Sequence, residues 1–174
     1  GGEDRAGLVL ARVRLGSVLR ATKEPAKALV VLQRAAAEAD ALGDPALAAA
    51  VHEETAGASV DTGDLATARA AYERAVAARE AAHDADGAFA ARGSLVEVLS
   101  TRGEGIAAVA LVEAVVAAAR TAGDRAGEAS YLGLLGALHT RLGDGGKAAE
   151  AFAGAVTLRE ALAAAGGAPE QAVL

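Results

Sequence analysis

Four aspartates, Asp4, Asp44, Asp84 and Asp124, stand forty residues apart in a chain of 174. A fixed spacing of that length marks stacked supersecondary units, and it constrains the fold more than any local motif does. Each aspartate precedes an Ala-rich apolar segment, where a carboxylate can accept the N–H groups that a first helical turn leaves unpaired. Pro45 follows Asp44, as an N1 proline should. A second series lies about half a period later: Lys23-Glu24, Gly63-Asp64, Gly103-Glu104 and Gly143-Asp144. It marks the turn inside each unit, where a left-handed glycine ends one helix and an acidic residue begins the next. Gly43 and Gly123 end the second helix of their units in the same way.

Two helices per unit give eight in all, near 4–22, 25–42, 45–62, 65–82, 85–102, 105–122, 125–142 and 145–163. At about 18 residues each is about 27 Å long. Short connections make successive helices antiparallel, and a pair cannot bury its apolar face alone, so the units must stack. Apolar residues make up 53% of the chain, but the only aromatics are Tyr72, Phe89, Tyr131 and Phe152. The core must therefore be built from Ala, Leu and Val, which suits helices packed backbone to backbone. Ala is the strongest helix former and no segment alternates with period two, so the fold class is all-α. One domain over 1–166 is expected, with repeats 4–43, 44–83, 84–123 and 124–163. Residues 167–174 read as the start of a capping helix or of a truncated fifth repeat. The absence of methionine and the opening Gly1-Gly2 suggest a processed or excised piece of a longer protein.

Within the period, the pattern W-x2-L-G-x2-Y followed by A-x3-F-x2-A can be laid on all four units. The fourth has Leu132, Leu135-Gly136 and His139, then Ala148, Phe152 and Ala155. The second has His52, Thr55-Ala56 and Ser59, then Ala68, Tyr72 and Ala75, and the first has Leu15-Gly16, Leu19, Ala28, Leu32 and Ala35. The chain thereby resembles the tetratricopeptide repeat (TPR) family. Its longer repeat is similar to those of kinesin light chains, spindle-orientation adaptors and MalT-like or signal-transduction ATPase regulators of bacteria. HEAT repeats of similar length are the structural alternative, and the Gly-Asp turn before Ala-x3-aromatic-x2-Ala favours the TPR reading. The resemblance implies a right-handed alpha-alpha superhelix of four antiparallel helix pairs. Gly16, Ala56 and Gly136, facing Ala28, Ala68, Ala108 and Ala148, should let paired backbones close until Leu15, Leu95 and Leu135 interlock. The third unit departs from the pattern, with Val96 and Val115 at small-residue positions, and its helices should sit slightly farther apart.

Several chemistries find no footing. Without cysteine there is no disulfide, thiolate metal site or cysteine nucleophile. His52, His83 and His139 lie in different units with no second histidine three or four residues away, so structural or surface roles are expected and a metal is not. Gly143-Asp144-Gly145-Gly146-Lys147 lacks the first glycine and the Ser or Thr of a phosphate loop and reads as an inter-helix turn. No serine has a G-x-S-x-G setting. No enzyme activity and no cofactor are expected. A net charge of -6 without any Lys/Arg run argues against nucleic acid. The longest stretch without Asp, Glu, Lys or Arg, Ala129 to Thr140, is far short of the ~20 residues of a membrane span. A cytoplasmic location is expected.

In TPR arrays the first helix of each pair lines a concave groove, so the resemblance implies a partner-binding face here. On that register it includes Arg14, Ser17 and Arg20 from unit one, and Glu53, Glu54 and Asp61 from unit two. Units three and four add Glu97, Thr101, Ala137 and Arg141, and Gly93 and Gly133 fall on the same face. The Lys/Asn/Arg clamp by which some members hold a C-terminal carboxylate is missing. Glu53, Glu54, Asp61 and Glu97 would form an acidic patch flanked by Arg14, Arg20 and Arg141, steering a protein or peptide with a basic segment. The expected function is a non-enzymatic protein- or peptide-binding module, the sensor or scaffold part of a larger bacterial regulator. The alternative is a self-associating scaffold, a homo-oligomer held through its repeat faces.

Overall fold

The computed structural model describes the backbone of residues 2–166 and the side chains of 4–165. Among the described residues there are eight α-helices and no strand: α1 (Gly2–Ala21), α2 (Pro25–Leu42), α3 (Pro45–Thr62), α4 (Leu65–Ala81), α5 (Ala85–Thr101), α6 (Gly105–Ala122), α7 (Arg125–Arg141) and α8 (Gly145–Gly166). The bounds of α2, α3 and α6 are those read from the sequence, and α4, α5 and α7 end one residue earlier. Helix α8 runs past 163 because Ala163-Ala164-Ala165 continues the strongest helix-forming composition in the chain. Helix α1 begins at Gly2, so Asp4 sits inside its first turn rather than capping it. The reading of 167–174 as a cap or truncated repeat lies outside the described residues.

One residue in each of the seven turns has a positive φ, and these residues recur every twenty positions. They are Lys23, Gly43, Gly63, His83, Gly103, Gly123 and Gly143, with φ from 56 to 80°. The two forty-residue series thus merge into one half-period, and His83 and Lys23 adopt the left-handed conformation that glycine takes elsewhere. The residue that follows is always acidic. The amides of Glu24, Asp64, Asp84, Asp124 and Asp144 close the preceding helix, as in the 2.9 Å bond from Asp64 N to Ser59 O. The side chain of the acidic residue caps the next helix when it is aspartate. Asp44 accepts from the amides of Ala46 and Leu47, Asp64 from Thr67, Asp84 from Gly87, Asp124 from Gly127 and Asp144 from Lys147. Glu24 and Glu104, one methylene longer, make no such bond.

The helices form two compact units, Gly1–Arg102 with α1–α5 and Gly103–Leu174 with α6–α8. In the first, a Cβ on Gly16 would lie 2.9–3.2 Å from the Leu32 side chain, so glycine is what lets α1 close on α2. Val9, Ala35, Ala39, Leu47 and Val51 join α1, α2 and α3, while Ala28, Leu32 and Ala58 form a second cluster. In the second unit Gly136 receives the ring of Phe152, 2.9 Å from where its Cβ would be. Ala28, Ala68, Ala108 and Ala148 are all buried, as the small-residue register requires.

Leu15 departs from the expected interlock. Leu95 and Leu135 are 4% and 9% exposed, but Leu15 is 47% exposed. Its counterparts sit on helices packed against the helix before them, and none precedes α1 among the described residues. Helix α6 has a mean hydropathy of 1.7 over 18 residues and, by length and composition, could cross a membrane. It also carries Glu113 and Arg120, and it packs on α7 with Val112 and Val116 buried.

Candidate functional site

The face expected to bind starts, in the first unit, where α1 meets α3. Arg20, on the last turn of α1, donates from Nε to Asp61 at 2.8 Å and from Nη1 to Glu54 at 3.0 Å. Between these carboxylates, one turn apart on either side, lies Gly57. A Cβ there would stand 2.3–2.4 Å from Cζ and both Nη atoms, so the guanidinium lies flat on bare helix backbone. Burial disfavours the charge, but the hydrogen bonds to Asp61 and Glu54 outweigh it and raise the pKa of Arg20 above its ordinary value.

Glu53, next to Glu54 in sequence, turns to α4. Arg79 grips it with two hydrogen bonds, Nε to Oε1 at 2.8 Å and Nη2 to Oε2 at 2.6 Å, and reaches Asp84 at 2.7 Å with Nη1. The paired Glu53 carboxylate raises the Arg79 pKa further above the ordinary arginine value. Gly87 leaves room for this knot, since its Cβ would fall 2.7 Å from Arg79 Cδ. Arg79 was not legible as a site residue, because Ala39 and Ala119 occupy its positions in neighbouring repeats and no periodic signal marks it.

Three of the four carboxylates of the expected acidic patch therefore hold arginines of the same chain. Glu97 and Thr101 are exposed on α5, where the Thr101 hydroxyl donates to the Glu97 carbonyl at 2.9 Å. Arg14 is exposed and Ser17 half-buried on α1. Ala137 and Arg141 are exposed on α7, in the second unit.

Each unit also offers a small residue on one of its helices. Gly93 on α5 and Gly133 on α7, forty residues apart, are mid-helix glycines with nothing within 4 Å of where a Cβ would be. Gly16 and Gly136 make room for side chains of this chain; Gly93 and Gly133 make room for none. Glycine in a helix interior costs roughly 1 kcal/mol relative to alanine, and internal packing does not offset it at these two positions.

A cleft lies between the second helices of the first two repeats. This cleft of about 740 Å³ is lined by Leu29 and Val30 of α2, His52 and Thr55 of α3, and Ala70 and Arg74 of α4, among others. Burial, followed by the nearby charge of Arg74, lowers the pKa of His52 below its ordinary 6.5, so its imidazole is neutral at pH 7. His139, on α7 in the fourth repeat, is buried, and His83 is in a turn. Among the described residues no three His, Asp or Glu side chains are grouped to hold a metal ion.

No family model matches the sequence, and no curated protein matches it. Solved structures do. A kinesin light chain protein of Podosopora anserina with nearly identical TPR-like repeats superposes with a TM-score of 0.70 at 18% identity, over 87% of this chain and 74% of that one. A single-substitution form of the same protein gives a TM-score of 0.70 at 18% identity over 90% and 76%. The chain thus has the all-α, TPR-like helical-repeat fold, built from antiparallel helix pairs on a forty-residue period.

Proposed function

We propose that this chain is a non-enzymatic scaffold that holds a protein or peptide against the first helices of its repeats, as the sensor or scaffold part of a larger cytoplasmic bacterial regulator. The observation that carries the reading is Gly93, bare backbone on α5 of the first unit at a cost in helix stability that the chain's own packing does not explain, and Gly133 repeats it on α7 within the second unit. The TPR-like fold of the solved neighbours supports it, since such repeats are platforms for protein contacts. Because Glu53, Glu54 and Asp61 are matched by Arg79 and Arg20, the ligand is recognised chiefly by close backbone and apolar approach. The net negative charge contributes steering rather than specific pairing.

Affinity capture from the source cell with three forms of the chain tests this. The unaltered chain and Gln33→Glu, at an exposed α2 residue that lines the cleft on the second helices, should retain the same protein, and Gly93→Leu should lose it. Equal retention by all three would contradict the proposal.

A further inference from the structure

We propose that the cleft between α2 and α4 binds a small amphipathic carboxylate of the medium-chain fatty acid kind, Arg74 holding the acid group and the aliphatic walls holding the chain.

The walls set the size and character of the occupant. Leu29 and Val30 of α2 face Ala66 and Ala70 of α4, and Val30 is 57% exposed there. The cleft encloses about 740 Å³, within the roughly 300–1,000 Å³ typical of small-molecule sites. Helices α2 and α4 are both antiparallel to α3 and so run in the same direction. Leu29, Val30 and Ala66 therefore lie towards the starts of their helices, and Arg74 lies about 12 Å of helix further on. That run is too short to seat a docking helix and long enough for the chain of decanoate.

The polar groups of the cleft set the charge. The Thr55 hydroxyl donates to the Val51 carbonyl at 2.7 Å and that of Thr67 to the Asp64 carboxylate at 2.6 Å, so both are satisfied within the chain. Gln33, His52 and Arg74 form no hydrogen bond or ion pair among the described residues, and no Asp or Glu lines the cleft. The full charge offered to a ligand is thus positive. His52 stands close enough for the Arg74 charge, after burial, to favour its neutral form, although Asp40 of α2 acts in the opposite sense. A neutral imidazole still has an N–H to donate. A carboxylate at Arg74 accepts charge-assisted hydrogen bonds, while its chain covers Leu29 and Val30.

The repeat itself does not require this arrangement. Two repeats on, in the second unit, Leu132 and Gly154 stand at the positions of His52 and Arg74. A Cβ on Gly154 would lie 3.3 Å from Leu132 Cδ1, so a leucine side chain occupies there what the first unit leaves open.

Titration calorimetry with decanoate, decanol and acetate tests the proposal. Decanoate should saturate a single site and shift the ring-proton resonances of His52. Decanol, which lacks the charge, should bind at least about tenfold more weakly, and acetate, which lacks the chain, should not bind detectably. Arg74→Gln should lose at least about tenfold in decanoate affinity and leave decanol unchanged, with unaltered helical circular dichroism showing that it folds. Gly93→Leu should bind decanoate as the unaltered chain does, which separates this site from the face proposed to hold a protein. No binding of decanoate by the unaltered chain, equal affinity for decanoate and decanol, or full decanoate affinity in Arg74→Gln would overturn it.

Discussion

The guanidinium of Arg20 rests on Gly57, held there by Glu54 and Asp61 on either side. The relation ties the end of α1 to the middle of α3 and makes the effect of a helix-favouring substitution depend on a distant residue. With Arg20 replaced by alanine, Gly57→Ala should stabilise the protein by roughly 0.5–1 kcal/mol through helix propensity. With Arg20 present the methyl displaces the guanidinium and both ion pairs are disturbed, so the gain should vanish. Urea unfolding of the four proteins of this cycle measures the coupling.

Gly93 and Gly133 should behave differently, since no side chain of this chain occupies the space beside them. Gly93→Ala and Gly133→Ala should each raise stability by about 0.5–1 kcal/mol in urea or thermal unfolding. A loss of stability in either would mean that the glycine serves internal packing.

The turns allow a second gain. Lys23 and His83 hold φ of 64 and 56° where five glycines hold 64 to 80°. Lys23→Gly and His83→Gly should therefore stabilise by up to about 1 kcal/mol each, the relief of left-handed strain exceeding the entropy cost of glycine in the unfolded chain. The reverse change, Gly63→Ala, should cost about 1–2 kcal/mol. Melting temperatures of the three variants decide the sign.

Acid should weaken the fold in two stages. His52 has a folded pKa below its ordinary 6.5, because of burial and then Arg74, so the unfolded chain takes up this proton first. Its contribution is complete above 6.5 and is lost as pH falls through the lower folded value, and His52→Gln should remove that part of the dependence. The carboxyls of Asp64, Asp84 and Asp144 are held below their ordinary 3.8, chiefly by hydrogen bonds from Thr67, Gly87 and Lys147. Their contribution persists above 3.8 and fades as pH falls through their depressed values. Chemical denaturation at a series of pH values resolves the two stages.

Packing between paired helices should be equally exacting. Ala68 is fully buried where α4 meets α3, and Ala68→Leu should overpack that contact at a cost of roughly 1–3 kcal/mol. An unchanged melting temperature would count against the register.

Helices, turns and the small-residue register were legible because they repeat: Gly16, Ala56, Gly136 and the alanines facing them recur at fixed intervals. Asp4 misled because it matches the spacing of true caps, while Gly2-Glu3 extends the helix ahead of it. Leu15 misled because its burial depends on a preceding helix, which periodicity assumes at every repeat. The charges were the least legible part. Glu53 and Glu54 are adjacent in sequence but face different helices, one meeting Arg79 and the other Arg20. Which arginine reaches which carboxylate depends on three-dimensional neighbours that recur in no other repeat.

The affinity of the captured partner for Gly93→Leu relative to the unaltered chain, measured by titration calorimetry, is the most direct test of the scaffold reading. The account predicts at least about a tenfold loss, equivalent to about 1.4 kcal/mol, with Gln33→Glu on α2 left at full affinity. Full affinity in Gly93→Leu, with the loss appearing in Gln33→Glu, would place binding on the second helices and contradict it.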